Sequence, residues 1–83
     1  MANPTHAAPA QKPVKKSMII AGHATSLSLE PIFWQALEAM AKARSLSVRA
    51  LIEEIDTAPR AASLSSALRV RALLYYQQTP YQK

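Results

Sequence analysis

Residues 25–29 read Thr-Ser-Leu-Ser-Leu and run directly into residues 30–41, Glu-Pro-Ile-Phe-Trp-Gln-Ala-Leu-Glu-Ala-Met-Ala. The first five residues alternate with period two, which places Leu27 and Leu29 on one face of a strand and the two serines on the other. Pro31 fits the first turn of a helix, where its missing N–H leaves no hydrogen bond unmade. The stretch therefore predicts a short, half-buried strand that leads into a helix.

A single short strand leaves backbone N–H and C=O groups unpaired, so it needs a second strand beside it. The sequence offers two partners: the apolar run at residues 18–21, or a second copy of residues 25–29 across a two-fold axis. Gly22 lies between the two segments and is the one backbone position in the chain that is free to adopt a positive φ. A turn or bulge is therefore expected at Gly22.

Apolar residues recur at helical spacing after this strand. Helix A starts at Pro31, and its apolar stripe consists of Phe33, Trp34, Leu37, Met40 and Ala41. Residues 45–47 interrupt the pattern, and Ser47 is a favourable N-cap for the next helix. Helix B ends before Pro59, and its apolar stripe consists of Val48, Leu51, Ile52 and Ile55. A third helix is expected after these two, capped by Ser63 or Ser65.

The chain is too short to build a large core alone. It has 83 residues, 49% of them hydrophobic, and no Cys, which excludes disulfides and leaves oligomerisation as the route to stability. Three prolines and no apolar pattern in residues 1–16 predict a disordered basic arm, followed by the folded domain at 17–76 and a flexible tail at 77–83. The sequence thus predicts a mainly α fold with one short β-strand, completed by dimerisation.

Charge is distributed unevenly along the chain. The net charge is +5; residues 1–29 carry three Lys and no acid, residues 30–56 carry five acids against three bases, and residues 57–83 carry four bases and no acid. Basic flanks favour an anionic partner, with nucleic acid first and an acidic membrane surface second, although a high pI can also simply aid solubility. No run of about 18 apolar residues is present, so we expect no membrane span and a cytoplasmic location.

Three segments, in order, resemble the ribbon-helix-helix superfamily, and most closely a small bacterial subgroup. They are Ala-Gly-His at residues 21–23, Leu-Glu-Pro-Ile-Phe-Trp at residues 29–34, and Leu-Ser-Ser-Ala-Leu-Arg at residues 64–69. The resemblance implies an intertwined homodimer with an intermolecular two-stranded antiparallel ribbon, here followed by a C-terminal helix. It also implies double-stranded DNA as the partner, because proteins of this kind read the major groove with paired strands.

Carried onto this chain, the resemblance places the reading side chains on the outward face of the strand and a phosphate contact at the start of helix B, where free N–H groups attract anions. The expected DNA-binding residues are Ala24, Ser26, Ser28, Ser47, Val48 and Arg49, with Lys15, Lys16 and His23 beside them. The expected dimer core consists of Leu27, Leu29, Phe33, Trp34, Leu37, Met40, Leu51, Ile52 and Ile55.

Two functions follow from this reading. The first is a DNA-binding repressor or autoregulator. The second is a dimeric protein-interaction module, similar to an antitoxin or adaptor, that binds a protein through the C-terminal helix; it gains weight because Ala24, Ser26 and Ser28 are short for base readout. We expect no enzyme, cofactor or metal site, because convergent His, Asp and Glu residues and a Gly-rich phosphate loop are absent from the sequence.

Overall fold

A β-hairpin precedes three helices in the computed structural model, which describes residues 11–58 and 62–78. The elements are β1 (Val14–Ile20), β2 (His23–Leu29), α1 (Pro31–Ala43), α2 (Val48–Thr57) and α3 (Leu64–Gln78). The hairpin packs one face on the helices, so the fold is mixed α/β with a C-terminal helix.

The turn of the hairpin contains two residues, both with positive φ. Ala21 has a φ of 51° and Gly22 a φ of 84°, and β1 and β2 pair antiparallel on either side of them. Two positive φ values are the signature of a type I′ turn, whose twist matches that of the flanking strands. The turn predicted at Gly22 is confirmed, but Gly22 is not alone in the left-handed region, because Ala21 and Ser45 also adopt it.

The prediction of one short strand is wrong. The chain forms two strands of seven residues, with Ile20 opposite His23 and Val14 opposite Leu29. Of the two partners that the sequence offered for β2, the structure has the apolar run that starts at residue 18, as the end of β1 in the same chain. β1 also extends three residues into the segment assigned to the basic arm, at positions 14–16. The pattern hid the first half of this strand because lysines occupy neighbouring positions on both of its faces. The intertwined homodimer stays a prediction, and residues 1–10 of the arm lie outside the described residues.

The two predicted helices after the strand are confirmed. α1 has Pro31 at its first position, and it ends where Leu46 N–H donates to Ala41 O (2.8 Å) and Ser45 N–H donates to Lys42 O (3.1 Å). This pair of bonds defines a Schellman motif, in which the residue after the cap is left-handed and usually glycine. Ser45 fills that place with a φ of 57°.

The turn between α1 and α2 is held by side chains on both sides. Ser47 is the N-cap of α2, as predicted, and its Oγ accepts a hydrogen bond from Ala50 N–H at 3.0 Å. The guanidinium of Arg44 donates to both carboxylate oxygens of Glu54. The Ser47 cap therefore sets where α2 begins, and the Arg44–Glu54 pair joins the end of α1 to α2.

The core closes within one chain. Eight of the nine residues expected to form a dimer core are no more than 4% exposed, namely Leu27, Leu29, Trp34, Leu37, Met40, Leu51, Ile52 and Ile55, while Phe33 is partly buried. Ile20 from β1 and Leu68 and Ala72 from α3 join them. The strand β1 and the helix α3 therefore supply apolar surface that the sequence led us to expect from a second copy.

Arg69 fastens α3 to the end of the hairpin. Its Nε donates to Glu30 Oε1 at 3.0 Å, and its Nη2 donates to the backbone oxygen of Ser28 at 3.3 Å. The guanidinium also lies 5.9 Å from the centroid of the Phe33 ring. Since α3 runs to Gln78, the predicted flexible tail begins too early at residue 77, and its remainder, 79–83, lies outside the described residues.

Candidate nucleic-acid interface

The face of the hairpin turned away from the helices consists of three cross-strand pairs. They are Lys15 with Ser28, Ser17 with Ser26, and Ile19 with Ala24. All six residues are exposed, whereas Ile20, Leu27 and Leu29 on the opposite face are buried. The outward positions expected on β2, Ala24, Ser26 and Ser28, therefore do lie together on one accessible surface, which we call the outer face.

The centre of the outer face is a pair of hydroxyl groups. Ser17 Oγ and Ser26 Oγ lie 3.1 Å apart and share a hydrogen bond in which either can be the donor. Each hydroxyl keeps further capacity, because a serine oxygen can donate one hydrogen bond and accept two. This pair can therefore adapt to a donor or an acceptor on an approaching molecule.

Lys15 places a long basic side chain on the outer face. The sequence suggested that this face carries only short groups on β2, and Lys15 was expected to act from a disordered arm. In the structure it stands directly across from Ser28. Residues on one face of a strand follow a period of two, so Ser17 and Ile19 share its side of β1. Recognising this required the register of β1 against β2, which depends on the turn and which the sequence pattern did not provide.

Lys16 and His23, two other expected contacts, belong to the opposite side of the hairpin. Lys16 pairs with Leu27, and its Nζ lies 4.8 Å from the centroid of the Trp34 ring. Trp34 also donates from Nε1 to Val14 O at 2.9 Å, which joins α1 to the start of β1. His23 is exposed beside the turn, opposite Ile20. The structure therefore separates both residues from the outer face.

The start of α2 forms a separate polar surface. Ser47 and Arg49 are exposed there, and Val48 is partly buried. The first N–H groups of a helix have no partner within it, and together with the helix dipole they attract anions. Ser47 accepts the cap hydrogen bond from Ala50, and its hydroxyl hydrogen remains able to donate. These three residues stand on a different element from the serines of the outer face.

Three acidic side chains, Glu30, Glu53 and Glu54, bind neighbouring groups on the helical side of the molecule. A hydrogen bond from Arg69 lowers the pKa of Glu30, and a hydrogen bond from Arg44 lowers the pKa of Glu54. Glu53 Oε2 accepts from Ala21 N–H at 2.9 Å and so holds the hairpin turn against α2. The outer face contributes one positive charge, from Lys15, and its other five side chains are neutral.

The described residues, 11–58 and 62–78, contain no group of three or more His, Cys, Asp or Glu side chains placed to hold a metal ion. In the same part of the chain, no helix combines the length and the apolar character needed to cross a membrane.

Comparison with known proteins agrees with this architecture. A family model described as Ribbon-helix-helix domain matches residues 13–76. Among solved structures, the chain is similar to an uncharacterized protein from Bordetella pertussis Tohama I, with a TM-score of 0.75 and 31% sequence identity over 92% of this chain and 70% of that one. Among curated proteins, no match is found. Ribbon-helix-helix domains are in general DNA-binding domains of regulators.

Proposed function

Because the chain belongs to the ribbon-helix-helix domain family, we propose that it is a sequence-specific, DNA-binding transcriptional regulator that places the outer face of its hairpin in the major groove. The observation that carries the proposal is the set of three exposed pairs on that face: a lysine, four small side chains and an isoleucine. The major groove is about 12 Å wide and admits a two-stranded ribbon. Strands about 4.8 Å apart, with short outward side chains, fit that width.

Phosphate contacts would supply most of the affinity in this proposal. Lys15 and Arg49 are exposed, and the N–H groups at the start of α2 can bind a phosphate oxygen. The net charge of +5 favours approach to DNA, and each phosphate neutralised by the protein steepens the fall of affinity with salt. Ser26 and Ser28 can each bond to more than one base, so base discrimination depends on how the whole face fits the groove.

Homodimerisation, which would present two hairpins to two half-sites, is part of the proposal. Arg69 donates to the backbone oxygen of Ser28 and α3 packs against β2, so we propose a dimer contact through α3 in place of the intermolecular ribbon expected from the sequence. α3 exposes Val70, Leu73 and Tyr76 by more than half. Of the two arginines of α3, Arg69 binds Glu30 and Arg71 lies beside residues of α1 and α2. The outward side of α3 is therefore uncharged and can pack on a copy of itself without repulsion.

The experiment that tests DNA binding is fluorescence anisotropy with the DNA upstream of the protein's own gene and with a scrambled duplex, at low and physiological salt. Wild type should bind the upstream DNA more tightly, and a Ser26→Ala/Ser28→Ala variant should lose that preference. Gln77→Ala, an exposed change on α3, serves as the matched control and should bind as wild type does. Binding that is absent, or insensitive to salt, would contradict the proposal.

A protein partner is the second candidate function, and the exposed apolar side of α3 favours it. An open groove between α1 and α3, lined by Ile32, Phe33, Leu73 and Tyr76, adjoins that surface. Analytical ultracentrifugation of wild type and Leu73→Glu tests whether the exposed side of α3 binds a second copy of the chain or another protein. A wild-type dimer that dissociates in the variant supports self-association, whereas a wild-type monomer at micromolar concentration leaves the surface to another protein.

A further inference from the structure

The two ends of the outer face differ in chemistry. At the open end of the hairpin the exposed pair is Lys15 with Ser28, and next to the turn it is Ile19 with Ala24. Ile19 is 51% exposed, although its neighbour Ile20 is only 2% exposed in the core. The face therefore changes from basic and hydroxylic to apolar within three cross-strand pairs.

The apolar pair borders a shallow depression of the outer face. Its walls include Ser17 and Ser26 on one side and Ile19 and Ala24 on the other. Because alanine is small, the side chain of Ile19 has no bulky neighbour opposite it and presents its methyl groups to whatever approaches the face. Met18 and Thr25 lie between the two pairs and complete the depression, and its apolar side favours a small apolar group.

In the major groove of DNA the small apolar group is the C5-methyl of thymine, which side-chain methyl groups contact directly. We propose that Ile19 and Ala24 recognise thymine through this methyl group, and that the Ser17–Ser26 pair meets a polar base edge beside it. This specificity rests on the proposed function, since it requires the outer face to enter the groove. Ile19 is then a specificity-determining residue contributed by β1.

The spacing of the pairs predicts where the thymine lies. Residues two apart on a strand are separated by about 6.8 Å along it, and successive bases of one DNA strand rise by about 3.4 Å. With the strands running along the groove, neighbouring pairs on the outer face are therefore about two base pairs apart. The whole face spans about five base pairs, with the thymine at the end that faces the hairpin turn.

Replacing thymine by deoxyuridine tests the inference, because it removes the methyl group and leaves the hydrogen-bonding groups of the base in place. Anisotropy titrations would use the upstream duplex in two forms, one with thymine and one with deoxyuridine throughout. We expect wild type to bind the deoxyuridine duplex about fourfold more weakly for each contacted methyl group that is removed. Ile19→Ala should bind the thymine duplex more weakly and discriminate less between the two forms.

Ile32→Ala is the matched control, since Ile32 is 58% exposed on α1 and lies away from the outer face. It should discriminate between the duplexes as wild type does, and circular dichroism would confirm that both variants are folded. Equal wild-type binding to the two duplexes, or full discrimination by Ile19→Ala, would overturn the inference and leave the proposed function standing. No binding to either duplex would overturn the proposed function, and the inference with it.

Discussion

The two faces of the hairpin share one backbone and yet have opposite surroundings. On the inner face Ile20, Leu27 and Leu29 are buried against the helices, whereas the outer face exposes every side chain from Lys15 to Ser28 that points away from them. Successive residues of a strand alternate between such faces. Substitutions at neighbouring positions of β2 therefore affect either the stability of the fold or the surface that we propose to contact DNA.

The largest effect is expected on the free energy of unfolding, when a substitution of Leu27 is compared with one of its neighbour Ser26. Leu27→Ala should lower the free energy of unfolding by about 2–5 kcal/mol, because it removes buried methyl groups and leaves a cavity. Ser26→Ala, on the outer face, should change it by no more than about 0.5 kcal/mol. Urea denaturation of both variants makes the measurement. Similar decreases for the two would mean that the outer face is also packed, contrary to the structure.

The next prediction compares Lys15 with Lys16, which differ by one position and lie on opposite faces. Lys15→Gln should weaken DNA binding and reduce the slope of log affinity against log salt by about 0.9 for each phosphate that Lys15 neutralises. Lys16→Gln should change the slope less, since the ammonium of Lys16 lies over the ring of Trp34. Titrations at several salt concentrations decide the matter, and equal slopes for both variants would contradict this separation.

A smaller effect is expected from a change that touches neither face. The backbone of Ser45 has a left-handed conformation in the Schellman motif after α1, and glycine adopts this conformation without strain. Ser45→Gly should therefore raise the free energy of unfolding by roughly 0.5–1 kcal/mol and leave DNA affinity unchanged. The control is Ala43→Gly in the last turn of α1, which should lower stability. Thermal melts measure both, and destabilisation by Ser45→Gly would contradict the prediction.

The smallest effect is a response to acid on the helical side of the molecule. Arg69 and Arg44 lower the pKa values of Glu30 and Glu54 in the folded protein. Each carboxylate therefore stabilises the fold above its unfolded pKa of about 4.3, and this contribution is lost as the pH falls through the lower folded value. Stability should decline modestly below about pH 4.3, and a Glu30→Gln/Glu54→Gln variant should decline less. A steeper decline of stability in the variant than in wild type would contradict this prediction.

The sequence alone determined the elements whose patterns are local. The alternation in residues 25–29 predicted the faces of β2 correctly, Pro31 marked the start of α1, and Ser47 marked the N-cap of α2. The resemblance carried by residues 21–23, 29–34 and 64–69 led to the family that the comparisons then showed. Such signals are short-range, because periodicity and capping depend on residues within one or two turns of each other.

Only the tertiary structure decided how those elements cover one another. The sequence offered residues 18–21 as one of two partners for β2, but the choice between them depends on a turn in which Ala21 also accepts a left-handed conformation, and no local pattern predicted that choice. Burial of the expected dimer core within one chain depends on where α3 packs. The helix α3 contacts the hairpin through Arg69, which donates to Ser28, 41 residues away in the sequence. Contacts at that separation arise from the packing of whole elements. The pairing of β1 with β2 in turn places Lys15 and Ile19 on the outer face, which periodicity alone did not predict.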